Sequence, residues 1–176
     1  MRKKWLALAL SLTMVAGCLT GCGGSDSTTS NTNSGSSSND SAKVETLADG
    51  GGKVLNIYVW NDEFSSRFEK YYPDYEKSTK SIGDVKVNFI QNANEGNNYQ
   101  DKLDAALKAQ DSASADDKVD MFLCEMDYVN KYTNTDKALD VKALGLTDED
   151  MSQMYDYTKQ AATGVDGVLR GVSWQG

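Results

Sequence analysis

The chain has 176 residues, with 18 basic against 26 acidic side chains and a net charge of −8. Arg2, Lys3 and Lys4 supply three of the basic residues at the extreme N-terminus, so the remainder is more acidic still. That balance argues against nucleic-acid binding by phosphate neutralisation and against polybasic docking on anionic lipid. With no histidine present, Ser-His-Asp and Cys-His catalysis and histidine-ligated metal sites are excluded within this chain.

The basic start leads into an apolar run from Trp5 to Ala16, then Leu19-Thr20-Gly21-Cys22. A charged n-region, a short apolar h-region and small residues before a cut site read as a secretory leader over residues 1–21. The run is too short to cross a hydrocarbon core of roughly 30 Å. The Leu-Thr-Gly-Cys stretch resembles a bacterial lipobox, which implies acylation of Cys22 and cleavage before it. Val15-Ala16-Gly17-Cys18 fits the same pattern, but a leucine heads the second box and a Gly/Ser tract follows Cys22 directly. Residues 22–52, rich in Ser, Gly and Asn, bury too little apolar surface to offset ordering entropy and read as a flexible tether. Cys124, in the apolar run Met121-Phe122-Leu123-Cys124, reads as a small core residue.

From Lys53 the pattern changes. Lys53 to Trp60 is β-branched and aromatic, which predicts a buried strand. Asn61 and Asp62 offer a helix N-cap, Phe64, Phe68, Tyr71 and Tyr72 follow at helical spacing, and Pro73 ends the helix. Val85 to Ile90 predicts a second strand. Asn97 and Gln100 suggest a capping box ahead of a helical stripe of Tyr99, Leu103, Ala106 and Leu107. Lys118 to Glu125 predicts a third strand. Short helical pieces are expected at Asp127 to Tyr132 and Val141 to Leu144. Thr147 is expected to cap a longer helix carrying Met151, Met154, Tyr155 and Thr158 on one face. A turn at Asp166-Gly167 then feeds a last strand towards Trp174. Strands alternating with helices at these lengths predict an α/β fold of βαβ units on a parallel sheet over residues 53–176. The strand-like ending Ser173-Trp174-Gln175-Gly176 gives the expectation of a truncated lobe.

Open parallel sheets bind ligands beyond the carboxyl ends of their strands. Here those ends are Trp60-Asn61-Asp62-Glu63, Gln91-Asn92-Ala93-Asn94 and Glu125-Met126-Asp127-Tyr128. Rings beside amides and carboxylates suit a sugar, whose C–H face stacks on an aromatic ring while its hydroxyls pair with Asn, Asp and Glu. Every one of these residues has a plainer reading: Trp60 as core, Asn61 as cap, Asp62 and Glu63 as partners of the helix dipole, Glu125 and Asp127 as solvated charges. The Tyr71-Tyr72 pair and the Met151/Met154 stripe read as packing.

Taken together, the lipobox, the Ser-rich tether, the strand Val54 to Asn61, the strand Asp120 to Leu123 with Glu125 and Asp127-Tyr128 after it, and the closing Gly171-Val172-Ser173-Trp174-Gln175 resemble the N-terminal part of a solute-binding lipoprotein of an ABC-type importer, in the extracellular family-one group that binds sugars. The resemblance implies a type II periplasmic-binding-protein-like lobe that closes with a second lobe on one ligand. It assigns ligand contact to Trp60, Asn61, Glu63, Glu125, Asp127 and Trp174. It implies an ABC permease as partner, membrane attachment through lipid at the extracytoplasmic face, and neither a cofactor, a metal nor a catalytic step. Two other readings fit the same residues less closely. One is a surface lipoprotein for adhesion or sensing. The other is a membrane-anchored glycosidase drawing a carboxylate pair from Glu63, Glu125 and Asp127.

Overall fold

A computed structural model describes residues 51–175. Residues 1–50, which hold the expected leader, Cys18, Cys22 and most of the expected tether, lie outside the described residues. The described chain is a mixed α/β fold on one five-stranded sheet, in the order β2-β3-β4-β1-β5.

Strand β1 (Val54–Val59) is central, and its alternation divides the core. Ile57 and Val59, both fully buried, face one side with Val87 and Leu123. Tyr58 faces the other side. Helix α1 (Glu63–Tyr71) brings Phe64 and Phe68 to the Ile57 face. Phe68 then meets Tyr72 in a stack at 4.7 Å, and Tyr75 and Phe89 edge-on at 5.6 and 5.5 Å. Tyr72 closes the helix in an extended conformation (ψ 117°), as the residue before a proline must. Tyr71, read as packing, is instead two-thirds exposed.

Between α1 and the next parallel strand lies a hairpin with no counterpart in the sequence reading. Strands β2 (Tyr75–Glu76) and β3 (Ser81–Ile82) pair antiparallel, and β3 pairs antiparallel with β4 (Val85–Gln91). The sheet is therefore mixed rather than wholly parallel. The β3–β4 turn uses Gly83 at φ +57°, a left-handed position that suits glycine in a two-residue hairpin. Strands this short show no alternation to read.

Strand β4 runs parallel to β1 over six residue pairs, from Val54 with Lys86 to Val59 with Gln91. Helix α2 (Asn98–Ala109) packs Tyr99, Leu103 and Leu107 on the opposite face from α1, as the stripe predicts. The capping box does not form. Gly96 and Asn97 are both left-handed, whereas a side-chain cap needs extended backbone, and Asn97 makes no cap bond.

Strand β5 returns to the far side of β1, parallel to it, but spans only Met121–Phe122. The strand is shorter than the expected eight residues, although Asp120 N–H and Leu123 N–H donate to the Asn56 and Tyr58 carbonyls at 3.1 and 3.0 Å on either side of it. Asp120 Oδ2 accepts from the Asn56 N–H at 2.7 Å, and the Asn56 amide donates to the carbonyls of Asp116 and Lys118 at 2.8 and 2.9 Å. Helix α3 (Val129–Thr133) follows, and Lys131 and Tyr132 both reach Asp104 on α2.

The last third departs most from expectation. Val141 to Leu144 forms turns, with Gly145 at φ +98°. Thr147 and Asp150 do bond reciprocally, Thr147 N–H to Asp150 Oδ2 at 2.8 Å and Asp150 N–H to Thr147 Oγ1 at 3.3 Å. No long helix grows from them. Extended backbone at Tyr155 (ψ 138°) interrupts the chain, and α4 covers only Asp156–Ala161. The Asp166-Gly167 turn forms, but it leads to a single antiparallel bridge, Thr163 with Leu169, rather than a strand. No helix among the described residues is long and apolar enough to cross a membrane.

Candidate ligand site at the strand tips

Because β1, β4 and β5 are parallel, their carboxyl ends share one edge of the sheet. The chain moves from β1 to β4 on one side, then back past β1 to β5 on the other. A reversal of strand order of this kind, which falls here between β1 and β5, marks the place where doubly wound sheets take their ligands.

Trp60 sits at the end of β1, partly buried and touching both cores. Its indole meets Tyr99 edge-to-face at 5.4 Å. Tyr99 ties the tips together: its hydroxyl donates to the Leu123 carbonyl at 2.7 Å and lies 3.1 Å from that of Tyr58. Burial drives its phenol far above the ordinary tyrosine range, so it remains a donor. Asn61 is exposed, and its Oδ1 accepts the Glu63 N–H at 3.0 Å, so it steers the chain into α1 while Asp62 makes no cap bond.

On the β5 side, Glu125 is exposed and accepts from Asn94 Nδ2 at 2.9 Å. That bond joins the loop after β4 to the loop after β5. Asp127 stands exposed in the turn before α3, with no side-chain partner among the described residues.

Glu63 and Trp174 belong to a neighbouring patch on α1. Glu63 Oε1 accepts from Arg67 Nη2 at 3.1 Å. The Arg67 guanidinium lies 5.8 Å from the Trp174 ring, which meets Phe64 edge-on at 5.3 Å. The six sequence-derived residues thus fall into a tip group (Trp60, Asn61, Glu125, Asp127) and a helix group (Glu63, Trp174), joined through Asn61 and the start of α1. Sequence reasoning missed Tyr99, Arg67 and the bracing by Asn94. Tyr99 was legible only as a core stripe residue, and Arg67 through its four-residue spacing from Glu63.

Two concavities among the described residues are lined by neither Trp60, Asn61, Glu125 nor Asp127. One of about 340 Å³ runs along α1 between Glu63, Arg67 and Tyr71. Another of about 510 Å³ is lined by Asp140, Lys142, Met151, Lys159 and Leu169, far along the chain from the strand tips. In the larger concavity Lys142 is paired with Asp148 at 2.8 Å, and Lys159 is drawn to Asp156 outside the lining at 3.0 Å. Among the described residues there is no cluster of three or more His, Cys, Asp or Glu side chains able to hold a metal ion.

Cys124 borders this edge but faces inward. Burial, with Glu125 adding to it, pushes its thiol up to about 12. At pH 8 its alkylation is expected to be at least on the order of a hundredfold slower in the folded protein than in the urea-unfolded chain. Peptide mapping after iodoacetamide checks this, and comparable rates in the two states would show an accessible thiolate.

Comparison with family models, with curated proteins and with solved structures gives no match for this chain.

Proposed function

We propose that this protein captures a carbohydrate outside the cytoplasm and presents it to an ABC-type membrane importer, performing no chemistry on it. In this reading Cys22 is acylated after removal of residues 1–21. Residues 22–52 tether the domain at the extracytoplasmic face of the membrane, and the described fold is a lobe of the type II periplasmic-binding kind. The supporting observation is the convergence at one sheet edge of a ring (Trp60), an amide (Asn61) and a carboxylate braced by a second amide (Glu125 with Asn94). A pyranose asks for that combination: an apolar face to cover and hydroxyls to pair. Lobe closure follows to the extent that the sugar binds the closed form better than the open one.

Calorimetry on the full protein with maltotriose, cellotriose, xylotriose and chitobiose tests the reading, and absence of binding by any oligosaccharide would overturn it. Trp60→Ala is expected to weaken the best of them at least about tenfold, on the order of 1.4 kcal/mol. Trp60 also packs on Tyr99, so circular dichroism accompanies the titration, and the exposed Asn61→Ala serves as a second variant. Native affinity in both folded variants would remove the end of β1 from the site.

A further inference from the structure

The first turn of α2 carries an unmet pair of hydrogen-bonding demands. Gln100 is 5 % exposed, and its side-chain carbonyl oxygen is buried with no donor among the described residues. A buried acceptor left unpaired is costly, on the order of 1–3 kcal/mol. In the same turn Asn98 N–H bonds to the Glu95 carbonyl and Asp101 N–H to that of Asn97, while the N–H groups of Tyr99 and Gln100 find no acceptor. No side chain caps this end, because Asn97 is left-handed. Among the described residues, the first turn of this twelve-residue helix therefore carries two unpaired donors and one unpaired, buried acceptor.

The turn also sits at the right edge of the sheet. α2 follows the tip of β4, and Tyr99 lies against Trp60 and binds the tip carbonyls of β1 and β5. Helical side chains lean towards their own N-terminus, so the Gln100 side chain lies over the opening turn of α2.

We propose that this turn is a subsite for one neutral hydroxyl of the bound sugar, a proposal that rests on the carbohydrate reading above. The hydroxyl donates to Gln100 Oε1 and accepts from the N–H of Tyr99 or Gln100. A single OH both gives and takes, so it satisfies both demands at once. A phosphate or carboxylate would meet only the donors. It would also meet the Gln100 carbonyl oxygen and share the first turn with the Asp101 carboxylate.

The test uses the full protein and whichever oligosaccharide of the panel binds best. Gln100→Met keeps length and removes the acceptor. It is expected to weaken binding about tenfold, and one monodeoxyfluoro analogue of that sugar should bind wild type and variant equally, since the hydroxyl that needed Gln100 is gone. If wild type binds the sugar and Gln100→Met binds it as well, with only a lowered melting temperature, the acceptor serves a structural water and the proposal falls while the carbohydrate reading stands. If no sugar binds wild type, the carbohydrate reading fails and takes the subsite with it. Should Gln100→Met not fold, Gln100→Glu retains an acceptor oxygen at the same reach. It must still prefer the parent sugar to that analogue, and loss of the preference overturns the assignment.

Discussion

Asn56→Ala is expected to lower the unfolding free energy by about 3 kcal/mol, because three neutral hydrogen bonds disappear at about 1 kcal/mol each. Asn56 lies in the middle of β1 and is 3 % exposed. Its Nδ2 donates to the carbonyls of Asp116 and Lys118, and its Oδ1 accepts from Asn88 Nδ2 at 2.9 Å. The Asn56 amide thus adds two side-chain bonds to the backbone contacts that fasten the crossover from α2 to β5 onto the central strand. Asn56→Leu fills the space but leaves both carbonyls unpaired, so it is expected to fare no better. Asn88→Ala, at an exposed position, loses one bond and is expected to cost about 1 kcal/mol or less. Urea titration followed by tryptophan fluorescence measures all three. A loss under about 0.5 kcal/mol for Asn56→Ala would mean that the crossover is held by other contacts.

Gly164→Ala is expected to cost about 2–3 kcal/mol, for a different reason. A methyl group there would lie 2.6 Å from the Thr133 carbonyl oxygen, 2.6 Å from Arg170 Nη1 and 2.8 Å from Asp166 Oδ1. The arginine can swing aside, but the backbone carbonyl cannot. Arg170 grips Asp166 with two bonds of 2.7 and 2.6 Å and donates to the Thr133 carbonyl at 3.1 Å, so displacing it releases the 164–170 loop from the end of α3. Arg170 also holds the Asp166 carboxyl well below the usual carboxylate range. Its folded value lies below the unfolded one, so its stabilisation is present through neutral pH and is lost as the pH falls below the ordinary carboxylate range. Gly171→Ala is the control, because its new methyl would meet only Ala162 Cβ at 3.4 Å. Equal melting temperatures for the two variants would show that the 164–170 loop adapts freely.

The elements legible in the sequence are those with long apolar patterns. β1 and α2 declare themselves through Val54 to Trp60 and through Tyr99, Leu103 and Leu107, and α1 through Phe64, Phe68 and the stop at Pro73. Elements defined by polar side chains were not legible. The Asn56 clamp beside β5 joins residues about 60 apart, and no local pattern announces it. The β2–β3 hairpin has strands of two residues each, below any readable period. The stripe of Met151, Met154, Tyr155 and Thr158 suggested a helix, but burial there does not follow one face: Met151 is 4 % exposed and Tyr155 63 %. At the candidate site the tip positions of Trp60, Asn61 and Glu125 follow from strand ends alone. The division that sends Glu63 and Trp174 to Arg67 depends on side-chain direction around α1, which spacing shows only in part.

The central strand acquires its two neighbours over very different spans of chain. Asn56 meets Asn88 on β4 across 32 residues, but its backbone meets Asp120 beside β5 across 64. Doubling a closing loop adds roughly 0.6 kcal/mol of entropic cost. The β1–β4 pair, with α1 laid over it, is therefore the cheaper of the two pairings to close. Until the longer loop closes, the Asn56 amide has no crossover carbonyls to bind. The Asn56 clamp and the β1–β5 edge therefore depend on closing the longer of the two loops.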